Sequence, residues 1–164
     1  MTGEEVTRII DKALDRDYTI FKIRGRREKL ELYFLLNFMY YSHLKMVDVL
    51  KLTPKQVNSE GGWFYNDRYK KIMGFEMNSY DRDNEFFSLL DATIRADEKG
   101  EDDFIITRKR RALIYAFKQI AAENGIENCR ITDVLYAGER DNAEIRKPYI
   151  IEDIDSFMER QHKH

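Results

Sequence analysis

Apolar residues recur at helical spacing along most of the chain and read as strands in one short stretch only. Val6, Ile9, Ile10, Ala13 and Leu14 mark the inward face of a first helix. Thr2 and Glu5 open it as a capping box, each side chain placed to accept the other's backbone N–H. Glu28 to Tyr41 is apolar nearly all round (L-E-L-Y-F-L-L-N-F-M-Y-Y), which predicts a central helix with neighbours on every side. His43 to Leu52 predicts a second, shorter helix. T-P-K-Q (Thr53 to Gln56) repeats the capping-box pattern with Pro54 at the first helical position, so a single turn is expected there. W-F-Y-N-D and K-K-I-M-G-F-E-M-N read as two strands around Asp67–Arg68, after Gly61–Gly62.

Beyond the hairpin, Ser79 or Asp81 opens a helix with Phe86, Leu89, Leu90 and Ile94 on one face. Asp97 to Asp103 (D-E-K-G-E-D-D) is an acidic loop, and F-I-I-T after it is short and extended. Thr107 is placed to cap a helix with Leu113, Ile114, Phe117, Ile120 and Ala121 at core spacing, closed by Gly125. A short helix from Thr132 to Ala137 is expected to stop at Gly138. A last one opens at Pro148 with Ile150, Ile151, Ile154, Phe157 and Met158 inward. The predicted fold class is α+β and mostly helical. The hairpin of residues 63–78 is its one small antiparallel sheet, and residues 29–41 form its most buried helix.

With 164 residues, 43% of them hydrophobic, the chain can bury enough surface for one packed domain, and disorder is not expected. No apolar run reaches membrane-spanning length, and the polar, capped first helix is unlike a signal peptide. Cys129 is the only cysteine, so an internal disulfide is impossible and a reducing cytoplasm is the expected location. Three histidines, two of them in the tail Q-H-K-H, and one cysteine do not make a zinc site. The acidic loop lacks the spacing and closing Glu of a calcium loop. No Walker-type loop, no G-x-G-x-x-G and no nucleophile motif occurs. Phe and Tyr at helical spacing read as core rather than as a cofactor box, and no metal or cofactor is expected. The net charge of −2 excludes a global basic field, so any attraction for nucleic acid must be local.

Two basic runs supply such local charge. R-K-R-R (Arg108 to Arg111) is expected in the first turn of its helix, where the macrodipole already places positive charge. Four cations there cost stability unless an anion answers them, and the free N–H groups of the same end suit a phosphate. The alternative is an ordinary solvated face. K-I-R-G-R-R-E-K (Lys22 to Lys29) is broken by Gly25, and Glu28 and neighbouring acids can neutralise it. Lys70 and Lys71 stand at the start of a strand beside the hairpin turn.

Residues 43 to 52, H-L-K-M-V-D-V-L-K-L, resemble the G-L-R-[IV]-S-[DE]-L-L-x-L signature of tyrosine recombinases (phage integrases). Leu44, Asp48, Leu50 and Leu52 match directly; Met46 and Val49 are apolar replacements. The order of parts is similar too. An opening T-x-E-E-V helix leads to a buried helix, the signature, and a small sheet with Lys70 and Lys71. The helix ending A-A-E-N-G-I then resembles the family's K-x-A-x-x-A-G-I segment. I-T-D-V-L-Y (Ile131 to Tyr136) stands where the family has I-T-x-H-x-L-R. The likeness covers residues 2 to 140.

The family's reaction implies two arginines clamping the scissile phosphate, a His and a Lys for proton transfer, and a Tyr nucleophile. Here Lys45 stands at the first Arg position, without the planar fork for bidentate binding. Asp133 stands at the His position and Tyr136 at the second Arg position. Tyr149, the only tyrosine after Tyr136, follows too soon and beside Pro148. Only the strand lysine, Lys70 or Lys71, survives. His43, Lys45 and Asp48 thus read as the shell of a lost active site. Leu44, Val47 and Leu50 are expected to hold the turn against the core, with His43 and Lys45 outward.

The resemblance therefore implies a recombinase-like domain over residues 1–164 with no catalytic residues, binding double-stranded DNA. Recombinases of this family also carry a helical core-binding domain, for which the chain has no counterpart. That leaves open that it is the C-terminal half of a longer protein. A phage chain with this fold and a degenerate site resembles the master repressors of lysogeny of SPβ-type phages, which regulate by binding DNA. The residues expected at phosphate are Arg24, Arg26, Arg27, Lys45, Lys70, Lys71, Arg108, Lys109, Arg110 and Arg111. Such contacts position a protein on DNA without specifying sequence. Two alternatives stay open, an active strand-transfer enzyme and a protein–protein interaction module, and a second copy of the chain is a further candidate partner.

Overall fold

The computed structural model describes residues 1–24, 30–58, 63–66, 71–74 and 85–141. In chain order the elements are α1 (Gly3–Arg24), α2 (Glu31–Ser42), α3 (Met46–Val49), a 3-10 turn (Pro54–Gln56), β1 (Val57–Asn58), β2 (Trp63–Asn66), β3 (Lys71–Gly74), α4 (Glu85–Ala96), α5 (Arg110–Glu123) and α6 (Thr132–Asp141). The last predicted helix, from Pro148, lies outside the described residues.

The apolar helix is central, as its pattern predicts. From Leu30 to Tyr40 every residue of α2 and its N-cap is buried, and α1, α3, α5 and α6 all pack on it. One flank is aromatic. Phe86 of α4 meets Phe38 edge-on at 5.3 Å and Phe34 at 5.9 Å, and Phe64 of β2 meets Phe38 at 6.0 Å. Edge-to-face pairs of this kind contribute roughly 0.5–1.5 kcal/mol each beyond the area they bury. These four aromatic positions are therefore core. The sheet is antiparallel in the order β1-β2-β3. It contains the expected hairpin, with Phe64 opposite Met73 and Asn66 opposite Lys71, plus the two-residue β1.

The start of α1 and the end of α5 are closed as predicted. Thr2 N–H donates to Glu5 Oε1 at 2.9 Å and Glu5 N–H to Thr2 Oγ1 at 3.1 Å. At the end of α5, Gly125 takes φ +73°; its N–H donates to the Ala122 carbonyl, and the Ile126 N–H to that of Ala121. This double closure requires a left-handed residue, which glycine adopts without a Cβ penalty.

Two boundaries differ from expectation. The helix predicted over His43–Leu52 shrinks to Met46–Val49, because His43 is left-handed (φ 57°) and Lys45 extended. Gly138 does not stop α6, which runs on to Asp141. A Cβ at Gly138 would lie 2.2 Å from the Tyr40 carbonyl oxygen, so the glycine is there to let α6 approach the α2 backbone. F-I-I-T forms no strand, but its Ile105 N–H donates to the Leu52 carbonyl at 3.0 Å.

Candidate nucleic-acid interface

The basic run at the start of α5 is arranged by a residue far away in sequence. Thr107 does not cap the helix. Its N–H and its hydroxyl both donate to Glu31 Oε1, at 2.6 and 2.9 Å, and the Arg108 N–H donates to Glu31 Oε2 at 2.9 Å. Glu31 is the first residue of α2 and is 0% exposed. A carboxylate so buried needs several donors, and the chain before α5 supplies three. With Thr107 committed to α2, Lys109 becomes the N-cap, extended and without a side-chain cap bond. Only Arg110 and Arg111 then fall in the first turn, while Arg108 and Lys109 precede it.

Lys109, Arg110 and Arg111 are exposed and Arg108 is half-buried. Among the described residues none of the four side chains pairs with a carboxylate. The preceding loop is pinned at two further points. Ile105 bonds to Leu52, and Lys55 holds it through its N–H to the Glu101 carbonyl and an ion pair to Asp102. The loop before the basic turn is thus tied to the segment that follows α3, at Leu52 and Lys55.

Lys45 is exposed and forms the N-cap of α3. His43 ends α2, and its N–H returns to the Phe38 carbonyl. Asp48 lies half-buried on α3. The trio shapes a tight reversal between two helices. Leu44 is buried as expected, but Val47 is 37% exposed; Met46, Val49 and Leu52 take the inward positions. Asp133 accepts the Arg130 N–H at 2.7 Å and so fixes the turn that opens α6. Tyr136 is 62% exposed.

The other expected phosphate contacts are less fully placed. Arg24 is the last residue of α1 and Lys71 the first of β3. Arg26, Arg27, Lys70 and Tyr149 lie outside the described residues. Glu31 is the residue that sequence reasoning missed. Its signal was an acid inside an otherwise apolar helix, which is tolerated only when donors converge on it.

A second polar knot sits at the opposite end of α2. Tyr40 Oη donates to Asp141 Oδ2 at 2.8 Å, and Arg140 holds both Asp141 and the Met1 carbonyl. Burial and the Asp141 bond push the Tyr40 hydroxyl well above its usual range, while Arg140 pulls the Asp141 carboxyl below its own. Among the described residues no three His, Cys, Asp or Glu side chains cluster as a metal site, and no helix is long and apolar enough to cross a membrane.

No family model matches the sequence, and no curated protein does. The fold does find a counterpart. It superposes on the crystal structure of XerA recombinase with a TM-score of 0.61 and 10% identity, over 100% of this chain. The chain spans 62% of that protein's length. At this identity the likeness is one of fold: a mostly helical domain with one small sheet, built like part of a recombinase.

Proposed function

We propose that the chain is a DNA-binding protein on a recombinase-like scaffold, without strand-transfer chemistry, serving as a phage or prophage transcriptional regulator. The observation that carries the reading is the basic turn. Three exposed cations and one half-buried one stand at a helix start that disfavours them, with no carboxylate partner among the described residues. An external polyanion is the natural counter-charge, and counterion release from duplex DNA rewards such a turn. Loss of chemistry follows from the residues at the family's clamp positions. Lys45 offers a point charge instead of a fork. Asp133 brings an anion where a phosphate would sit, and its carboxylate is committed to the Arg130 backbone.

Two measurements test this. Fluorescence anisotropy against phage duplex DNA over a salt series should give binding that weakens log-linearly with salt. On a nicked or suicide substrate no covalent protein–DNA adduct should form. A denaturant-stable adduct that disappears in Tyr149→Phe would instead make the chain an active strand-transfer enzyme. A second reading, a protein–protein module, draws on the exposed Phe104, Tyr115 and Tyr136. It expects weak DNA binding with no salt slope.

A further inference from the structure

We propose that Glu31 is a positioning residue for DNA: its buried carboxylate holds the backbone of Thr107 and Arg108 so that the basic turn is presented in one fixed direction. This rests on the DNA-binding reading above. Glu31 touches no phosphate itself, being wholly buried. Yet it is bonded to the backbone that opens Arg108–Arg111, and in the sequence it comes two residues after the run Lys22–Lys29. Among the described residues its three bonds go to the two residues just before the exposed cations, and none goes to a cation side chain. A carboxylate used for neutralisation would pair with guanidinium groups. This one leaves Lys109, Arg110 and Arg111 exposed and holds the backbone that precedes them.

Glu31→Gln keeps the size of the side chain. Its amide group would face at least one of the two backbone N–H donors, donor against donor, so a charge-assisted bond is replaced by a repulsive contact. The turn then has to be ordered at the moment of binding, and affinity should fall about tenfold. Removing a negative charge near DNA works in the opposite direction. Through water and salt at the distances involved, that gain stays below about twofold. The sign of the effect therefore separates positioning from simple charge.

The test compares Glu31→Gln, Thr107→Val and the double variant Arg110→Gln/Arg111→Gln on one duplex over a salt series, with amide exchange at Thr107 and Arg108. Positioning expects both Glu31→Gln and Thr107→Val to bind more weakly than the parent, Thr107→Val by about threefold. Their log–log salt slopes should match the parent's, and exchange at residues 107 and 108 should quicken while α2 stays protected. Thr107→Val leaves every charge in place, so it decides the matter if Glu31→Gln does not fold. Parent-like or tighter binding by Thr107→Val, or by a folded Glu31→Gln, overturns the inference. If the arginine variant is nonetheless weakened, the DNA reading survives that failure. If the arginine variant binds like the parent, the DNA reading falls and the positioning role falls with it.

Discussion

Gly138→Ala should lower the melting temperature by about 6–12 °C, the equivalent of roughly 3 kcal/mol. The sign is what makes the prediction sharp. Inside a helix, glycine to alanine ordinarily stabilises by about 0.8–1 kcal/mol, because glycine has more backbone freedom to lose. Here the new methyl would lie 2.2 Å from the Tyr40 carbonyl oxygen and 2.8 Å from its carbon. A backbone neighbour cannot rotate away as a side chain can. Either α6 retreats from α2 along its whole contact or the helix distorts, and both loosen the packing of α6 on α2. Gly125→Ala is the control. Nothing lies within 4 Å of its missing Cβ, but its φ of +73° is strained for alanine. It should cost only about 1 kcal/mol. Thermal melts of the two variants side by side decide it; equal losses would mean that α6 is not held against Tyr40.

Arg110→Gln/Arg111→Gln should weaken DNA binding at low salt while leaving the fold as stable as before, or more so by up to ~0.3–1 kcal/mol per charge. Both residues lie in the first turn of α5, are exposed, and have no carboxylate partner among the described residues. Each phosphate contact contributes close to one unit to the slope of log K against log salt, so the double variant should lose about 1.8 units. The gap between variant and parent should then be about tenfold wider at ~50 mM than at ~200 mM salt. If the arginines touch phosphate alone, the loss is the same on specific and random duplexes. Binding that matches the parent at every salt concentration would reduce the turn to a solvated face.

The sequence exposed whatever is set by local pattern. The all-round apolar run gave α2, Thr2 and Glu5 gave the start of α1, and Gly125 gave the end of α5. The alternation around Asp67–Arg68 gave the hairpin. What it hid depends on partners distant in the chain. Thr107 has the chemistry of an N-cap, but its N–H and hydroxyl turn to Glu31, 76 residues earlier, and α5 begins only at Arg110. Gly138 carries a helix-stop signal, and only the Tyr40 backbone reveals it as a contact point. Val47 and Met46 are equally apolar; the left-handed His43 sets the phase of α3 that turns Met46 inward. For the candidate site, the basic run was legible as charge, but the bonds that hold its backbone were not, because they come from Glu31, a buried acid 76 and 77 residues earlier.

The pairing of α2 with α6 also has a consequence for synthesis. Tyr40 and Asp141 are 101 residues apart. At ~5–20 residues per second, a ribosome takes roughly 5–20 s to supply the second after the first. Throughout that interval a helix greasy on every side has lost the ribosome's shelter without yet gaining its cover. The nascent chain should therefore be a strong client for holdase chaperones, and overexpression without them should favour inclusion bodies even though the finished domain is well packed.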